Sequence, residues 1–401
     1  MNGSQLRLIA GRTISQVGDG IYEIAMLWVI THLLGAPWSV AAVIVVGNLV
    51  STVLVPAGGH VADRRIGGRR NIAALADLGA FVLFAVAAIA WPHLGRGAAY
   101  LALLVVTGLT SVSVSFLFPA IGALFASLLE DGNRQQANSL YQTSTSAASL
   151  GGLLLGGALI AVLPFQAILW LDAASFALGC LLTLSVRPPR PGDREEAHAD
   201  QEHVAWRAML RARPVRLLVG ANAALNGALI VVMSLLPFLV VHVLHQGAVV
   251  LGTTQAVFSA GLIVGGAGSR WLKGSRLVQF AVGFAVMALA VCTVGVWPDV
   301  WATEVALFAA AVAASVLSVS LMTLSQEVVA QDQYGKFLAA SSVVTTVAQP
   351  TLAALAGAFA ALVGVPLVLV LGALLTALGG GAVVRGLSRE AAGPREVADG
   401  A

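Results

Sequence analysis

Two carboxylates four residues apart are the first candidates for chemistry in this chain. Asp19 and Glu23 lie near the middle of an apolar run, and their spacing places both on one face of a helix. If that run lies in lipid, an ionised carboxylate at its centre costs about 3 kcal/mol. Burial and mutual repulsion both favour the protonated forms, so the pair could hold a proton and release it for a substrate. A structural alternative is that Asp19 pairs with Arg12, two turns earlier on the same face, and only locks helices together.

Other polar side chains also fall inside apolar runs. Gln142, Asn222 and Asn226 could line a cavity with the acidic pair, or could equally form hydrogen bonds between helices. Asp77 is close to the inner end of its run, where we expect it to be a structural partner for arginines of the neighbouring loop. Asp172 lies in the outer third of its run, where it could take part in gating or simply be partly solvated.

The chain lacks the sequence patterns of enzyme chemistry. It contains no Gly-rich phosphate loop, no nucleophile motif and no spaced cluster of metal-ligating residues. Cys180 and Cys292 both lie in apolar runs, where cysteine acts as a small hydrophobic residue. We therefore expect no catalytic activity, no cofactor and no metal site.

The composition indicates what must position these polar groups. Of the 401 residues 58% are hydrophobic and 10% are charged, whereas soluble domains are about 45–50% apolar and about 25% charged. The apolar excess must face lipid, and a bilayer needs about 20 apolar residues per helix. By this rule the sequence predicts twelve membrane spans, at residues 8–34, 38–57, 72–91, 98–118, 136–163, 166–186, 217–244, 248–268, 277–297, 302–325, 337–363 and 365–385.

The distribution of Lys and Arg predicts how the spans are oriented. If the N-terminus is cytoplasmic, every Lys and Arg except Arg96 lies near the cytoplasmic side. This asymmetry predicts a multi-pass protein of the cell (inner) membrane with both termini in the cytoplasm. It also explains the formal net charge of +3 without a nucleic-acid partner.

The longest polar segment, 187–216, divides the spans into two sets of six. The two halves share short patterns, such as Gly156-Gly157-Ala158 and Ala356-Gly357-Ala358. We therefore predict an all-α integral membrane fold, in which twelve transmembrane helices form two pseudo-symmetric six-helix bundles with a binding site between them. The predicted parts are an N-terminal bundle at 1–186, a cytoplasmic linker at 187–216, a C-terminal bundle at 217–385 and a cytoplasmic tail at 386–401.

The loop between the second and third spans, Gly58–Asn71, concentrates acidic and basic residues. It resembles the signature loop of the major facilitator superfamily, with two extra residues before its second glycine. The matching residues are Gly59, Asp63, Arg64, Gly68, Arg69 and Arg70. The resemblance implies that this loop latches the cytoplasmic ends of the two halves, with Asp63 facing the helix N-terminus near 334–336.

Within the superfamily the chain is similar to an efflux branch that includes macrolide and enterobactin exporters. The similarity is carried by Gly11–Gly20, Ala137–Leu140 and Asp172–Phe176. Gly152–Gly157 keeps the glycines of a motif found in antiporters of the family but lacks its proline. The fourth span lacks the arginine that many proton-driven drug antiporters carry.

The resemblance and the charges together predict a transport function. Apart from Arg12 no Lys or Arg lies deep in a span, so a multiply anionic substrate would have no counter-charge. We therefore predict a monomeric secondary transporter that exports hydrophobic, neutral or cationic small molecules, drug- or antibiotic-like, by proton antiport with alternating access. Its partners would be the substrate, protons and the lipid bilayer. Alternatives left open are a siderophore or metabolite exporter, a proton-linked uptake symporter, and a membrane sensor or lipid translocator.

Overall fold

A computed structural model of the chain describes residues 3–64, 68–128, 134–186, 213–269, 275–329 and 331–391. Twelve helices in this part of the chain are long and apolar enough to cross a membrane, and the described residues include no strand. The predicted all-α, twelve-span membrane fold is therefore confirmed. The helices are α1 (Gly3–Leu34), α2 (Pro37–Arg64), α3 (Arg69–Ala90), α4 (Arg96–Ser127), α5 (Arg134–Val162), α6 (Phe165–Leu184), α7 (Arg213–Phe238), α8 (Ala248–Gly268), α9 (Arg276–Val296), α10 (Val300–Val328), α11 (Gln331–Val363) and α12 (Val365–Ala391).

The surface of the helices is apolar over much of its area. Leu362, Leu378 and Val162 are among the many large aliphatic side chains that are exposed. Trp297 and Trp301, at the junction of α9 and α10, are exposed as well. A soluble protein rarely exposes contiguous apolar surface on this scale, whereas a lipid environment requires it.

The described residues divide into two compact units. The first contains α1 to α6 together with Leu236–Ala256, and the second contains the remaining parts of α7 and α8 with α9 to α12. The predicted linker lies mostly outside the described residues, and the bounds of the four predicted parts stay a prediction.

In the first unit α1 is the central helix, packed against α5 and α6. Gly152 and Gly156 of α5 allow the contact with α1, because a Cβ atom there would lie 2.6 Å from the carbonyl oxygen of Val17 and 2.8 Å from that of Ile21. Such close backbone approach is typical of helices that pack in lipid. On another face of α5, Gly157 makes an equally close approach to the first turns of α8. The glycines of the predicted antiporter motif are therefore packing positions of α5.

The C-terminal end of α4 is longer than the sequence predicts. The predicted spans leave residues 119–135 as a loop, but α4 continues through Pro119 to Ser127. The reason is that Ile121 and Leu124 are buried in an apolar cluster with Leu8 of α1, so this end of the helix has a core of its own.

In the second unit α9 packs against α10 and α12. Gly261 and Gly265 of α8 face the backbone of α10, where a Cβ atom at each would lie 2.7 Å from the carbonyl oxygen of Phe308 and 2.5 Å from that of Val312. Glycines at i and i+4 therefore make the close helix contacts in this unit, as Gly152 and Gly156 do in the first.

Candidate functional site

A cavity of about 220 Å³ lies between α1 and α4 in the first unit. Its residues on α4 are spaced i, i+3, i+4 and i+7, which places them along one face of that helix. The lining residues are Tyr22, Glu23 and Met26 of α1 and Thr107, Thr110, Ser111 and Val114 of α4.

Glu23 is the charged side chain among these lining residues. It is exposed, whereas its neighbours Tyr22 and Met26 are buried against other helices. Asp19, one turn earlier in α1, is half-buried and close enough for its charge to interact with that of Glu23. The cavity is therefore an apolar and hydroxyl-lined space with a single acid, which suits a ligand that is neutral or carries a positive charge.

The hydroxyl groups of the cavity are unequally satisfied. The Thr107 hydroxyl donates to the sulfur of Met26 over 3.7 Å, and the Ser111 hydroxyl donates to the carbonyl oxygen of Thr107 over 2.8 Å. The hydroxyl oxygens of Thr110 and Tyr22 are buried and make no hydrogen bond within the described part of the protein. A buried polar group without a partner costs about 1–3 kcal/mol, so both hydroxyls are suited to bond a ligand.

A buried ion pair lies nearer the start of α1. Nη1 of Arg12 is 3.4 Å from Oδ1 of Asp77, and the two residues are 4% and 0% exposed. The expectation that Asp77 meets loop arginines is corrected, because Asp77 is buried at the contact of α3 with the other helices. Arg12 is close enough to Asp19 for their charges to interact, but its ion pair is with Asp77 and not with Asp19. The guanidinium also lies 6.0 Å from the ring centre of Phe118.

Asp172 of α6 is 1% exposed, which does not fit the alternative of partial solvation. Its Oδ1 accepts a hydrogen bond of 3.1 Å from the Ser175 hydroxyl, one turn later in α6. The burial results from Gly18 of α1, where a Cβ atom would lie 2.6 Å from the same Oδ1. Because Gly18 has no side chain, α1 closes directly over the carboxyl group.

Asn222 and Asn226 lie in the second unit, in a chain of hydrogen bonds between α7 and α11. Nδ2 of Asn222 donates to Ser341 over 2.9 Å, and Nδ2 of Asn226 donates to Oδ1 of Asn222 over 3.0 Å. Nε2 of Gln349 donates to Oδ1 of Asn226 over 3.3 Å. This arrangement favours the interpretation of these asparagines as interhelical hydrogen-bonding groups. Gln142 is exposed on α5 and is not among the described residues that line the cavity.

The predicted latch is described only in part. Gly59, Asp63 and Arg64 belong to the last turns of α2, but their side chains lie outside the described residues. Gly68 precedes α3, and Arg69 is buried at the first turn. Nη1 of Arg70 donates to the carbonyl oxygen of Val186, just after α6, over 3.3 Å. The role of the six residues in latching the two halves stays a prediction.

The residues that surround Glu23 were not predicted from the sequence. These residues are Tyr22, Met26, Thr107, Thr110 and Ser111. One feature of the sequence could have indicated the residues of α4, because three hydroxyl residues share one face of this otherwise largely apolar helix. Within the part of the chain that the structure describes, no three His, Cys, Asp or Glu side chains are grouped as metal ligands.

In the described part of the chain, twelve helices that can cross a membrane define a multi-pass membrane protein, and its first unit holds a lined cavity. The family model described as Major Facilitator Superfamily matches residues 8–347, so the chain belongs to that family of transporters.

A curated relative is macrolide efflux protein A of Streptococcus pyogenes, which is 22% identical over 269 residues. The alignment covers 64% of this chain and 64% of that protein, so the chain matches less than two thirds of the relative's length.

Three solved structures share the fold. A bacterial homologue of the iron transporter ferroportin, in its inward-facing state, has a TM-score of 0.70 at 16% identity and covers 95% of this chain and 98% of its own. A bacterial homologue of the human lysosomal transporter Spinster has a TM-score of 0.74 at 13% identity, with 97% and 99% covered. The nucleoside transporter NupG has a TM-score of 0.73 at 12% identity, with 96% and 99% covered. At these identities the similarity establishes the fold alone.

Proposed function

We propose that this chain exports hydrophobic, neutral or cationic small molecules, of the drug or antibiotic type, by proton antiport with alternating access. It would act as a monomer in the cell (inner) membrane, with both termini in the cytoplasm. The latch residues would control the opening of the cytoplasmic side. Family membership alone does not specify this substrate class, because the structures that share the fold include a nucleoside transporter and a bacterial metal transporter.

The observation that carries the proposal is the environment of the Glu23 side chain in the cavity. It is the charged group of a cavity whose other lining residues are hydroxylic, aromatic or apolar. The carboxylate of Glu23 would bind the positive charge of a substrate, and the ring of Tyr22 would contact the same charge through its face. Met26 and Val114 would contact the apolar part. An anionic substrate would meet only repulsion there.

Two further observations support export coupled to protons. The weak similarity to macrolide efflux protein A favours efflux of an antibiotic-like molecule. Asp19 lies close enough to Glu23 for their charges to interact, so a cation bound at Glu23 changes the affinity of its neighbour for a proton. Coupling of this kind acts in both directions, because a proton held nearby equally weakens binding of the cation.

The test is dye transport in everted membrane vesicles under an imposed pH gradient. Wild type is expected to accumulate a lipophilic cationic dye and to release protons as it does so. Glu23→Gln is expected to lose most of the accumulation, since the counter-charge for the dye is gone. Asp19→Asn is expected to weaken the coupling to the pH gradient.

The matched control is Asp299→Asn, which makes the same chemical change outside the cavity. Asp299 caps α10 by accepting a hydrogen bond from the backbone nitrogen of Ala302, and asparagine is an equally good cap. This variant should transport as wild type does. Transport by Glu23→Gln at the wild-type rate would overturn the assigned site, and accumulation of a multiply anionic substrate would overturn the substrate class.

A further inference from the structure

Asp172 is a buried carboxyl group that the proposed binding of substrate does not use. It is 1% exposed, and Oδ1 accepts one hydrogen bond, from Ser175. Oδ2 is buried and has no hydrogen-bond partner within the described residues. A carboxyl group with one unused oxygen, sealed under α1 at Gly18, needs either a proton or a cation to be stable there.

The groups that face Asp172 supply no counter-charge. From α1, Asp19 and Tyr22 are close enough to interact with it electrostatically, and Asp19 repels it. From the middle of α3 the ionisable group is Asp77, which is already paired with Arg12, while Arg69 and Arg70 lie at the first turn of that helix. The described membrane-spanning part of α5 carries no charged side chain. Protonation is therefore the simplest way to neutralise this carboxyl group.

Tyr22 lines the cavity and also interacts electrostatically with Asp172. The side chain of Tyr22 lines the cavity beside Glu23, and its hydroxyl is buried without a hydrogen-bond partner. The ring is held by Phe84, edge to face at 4.7 Å, and by Phe165 at 6.1 Å. The Tyr22 hydroxyl and Asp172 are close enough to interact electrostatically but are not hydrogen-bonded to each other, so a proton could pass between them through one bridging water molecule.

We propose that Asp172 carries the exchanged proton and that the Tyr22 hydroxyl passes this proton between Asp172 and the cavity. In the release step the O–H bond of Asp172 breaks and a bridging water molecule accepts the proton, while that water donates one of its own protons to the Tyr22 oxygen. The proton that Tyr22 held moves at the same time to water in the cavity, so Tyr22 stays neutral and Asp172 becomes a carboxylate. No group is oxidised or reduced.

The inference rests on the proposed antiport, and it assigns the binding of the substrate and of the proton to different side chains. Glu23 binds the substrate, Asp172 holds the proton, and Asp19 lies close enough to interact electrostatically with both. Substrate and proton then occupy different carboxyl groups, in contrast to an exchange at one shared site.

The experiment measures protons released when the full-length protein binds tetraphenylphosphonium in weakly buffered detergent solution with a pH-indicator dye. Wild type is expected to release protons on binding. Asp172→Asn is expected to bind the cation and release none. Tyr22→Phe, which removes only an unpaired hydroxyl, is expected to release the same amount about 100-fold more slowly. Asp299→Asn is the control for exchange of a carboxylate for an amide and should match wild type.

A second arm uses the same variants in liposomes. Asp172→Asn should still exchange labelled for unlabelled cation at equilibrium, but should no longer accumulate it with a pH gradient. This result also shows that the variant is folded. Replacing sodium by choline in the buffers should change nothing for wild type.

The outcomes separate the two proposals. Proton release by Asp172→Asn equal to that of wild type would overturn the inference and leave the antiport intact. Release by Tyr22→Phe at the wild-type rate would overturn the relay. If wild type transports the cation without releasing any proton, the antiport itself fails, and the inference fails with it. A requirement for sodium that disappears in Asp172→Asn would make Asp172 a metal-cation site and would overturn its assignment to the proton.

Discussion

The first unit buries ionisable side chains, whereas among the described residues of the second the buried polar side chains are hydroxyls and the amides of α7 and α11 are half-buried. In the first, Arg12, Asp77 and Asp172 are all less than 5% exposed. One oxygen of each aspartate has no hydrogen-bond partner within the described residues. In the second, Asn222, Asn226 and their partners on α11 form a continuous series of hydrogen bonds.

This difference indicates where each unit is under functional constraint. Both units have glycines at i and i+4 where two helices come into close contact, so helices pack by the same means in the two units. Buried charges are costly in lipid and add little stability over apolar residues. Their concentration around α1 therefore favours a role in transport for the first unit, and the satisfied amides favour a structural role for α7 and α11.

The largest expected effect is on stability, from breaking the ion pair of the first unit. Arg12→Ala leaves the Asp77 carboxylate buried without its cation, which should lower the free energy of unfolding by about 3–5 kcal/mol. Thermal unfolding in detergent measures the loss. The double variant Arg12→Met with Asp77→Leu should recover most of it, because apolar residues of similar size replace both charges. No recovery would mean that this ion pair does more than neutralise charge.

The next effect tests whether the two units are packed alike. Gly152→Val in the first unit and Gly265→Val in the second each place a side chain against a carbonyl oxygen of the neighbouring helix. Each should destabilise the protein by about 1–3 kcal/mol through overpacking. Gly151→Val is the control, since a Cβ atom there meets nothing within 4 Å. A large loss in only one unit would show that the packing similarity is superficial.

A smaller effect is expected from the amides. Asn226→Ala removes hydrogen bonds to Asn222 and Gln349, which should cost about 0.6–1.7 kcal/mol in a membrane bundle. Thermal unfolding again measures the loss, and Thr351→Ala, an exposed hydroxyl residue of α11, is the reference. Proton release on binding of tetraphenylphosphonium should be unchanged. A change in that release would contradict the purely structural role assigned to the second unit.

The smallest effect concerns a surface charge. Arg276, at the start of α9, and Glu327, near the end of α10, form an ion pair of 3.5 Å, and both side chains are exposed. Glu327→Gln should change the free energy of unfolding by less than about 1 kcal/mol, and added salt should reduce even that. An effect as large as that of Arg12→Ala would undo the distinction between buried and surface charges.

The fold could be predicted because membrane spans are local features of a sequence. Runs of about 20 apolar residues mark the helices, whatever their partners are. The candidate site could be predicted only in part. Glu23 stood out because an acid within an apolar run is rare, whereas Thr107 and Thr110 did not, since hydroxyl residues are common in membrane helices.

Features that depend on contacts between two distant segments could not be predicted from the sequence. Arg12 and Asp77 are 65 residues apart, and only the packing of α1 and α3 against the same two helices, α4 and α6, brings them together. The complete burial of Asp172 depends on a glycine more than 150 residues earlier. In both cases the deciding information is which helices are neighbours, and hydropathy does not contain it.

The contact at Gly18 also has a consequence for the history of this sequence. Because a single methyl group at position 18 would collide with Asp172 and Ser175, substitutions at these three positions depend on one another. A lineage that replaces Gly18 by alanine must also make room at Ser175 and Asp172, the two side chains that the new methyl group would meet. The three positions are therefore expected to covary among relatives, although Gly18 lies in α1 and the other two in α6.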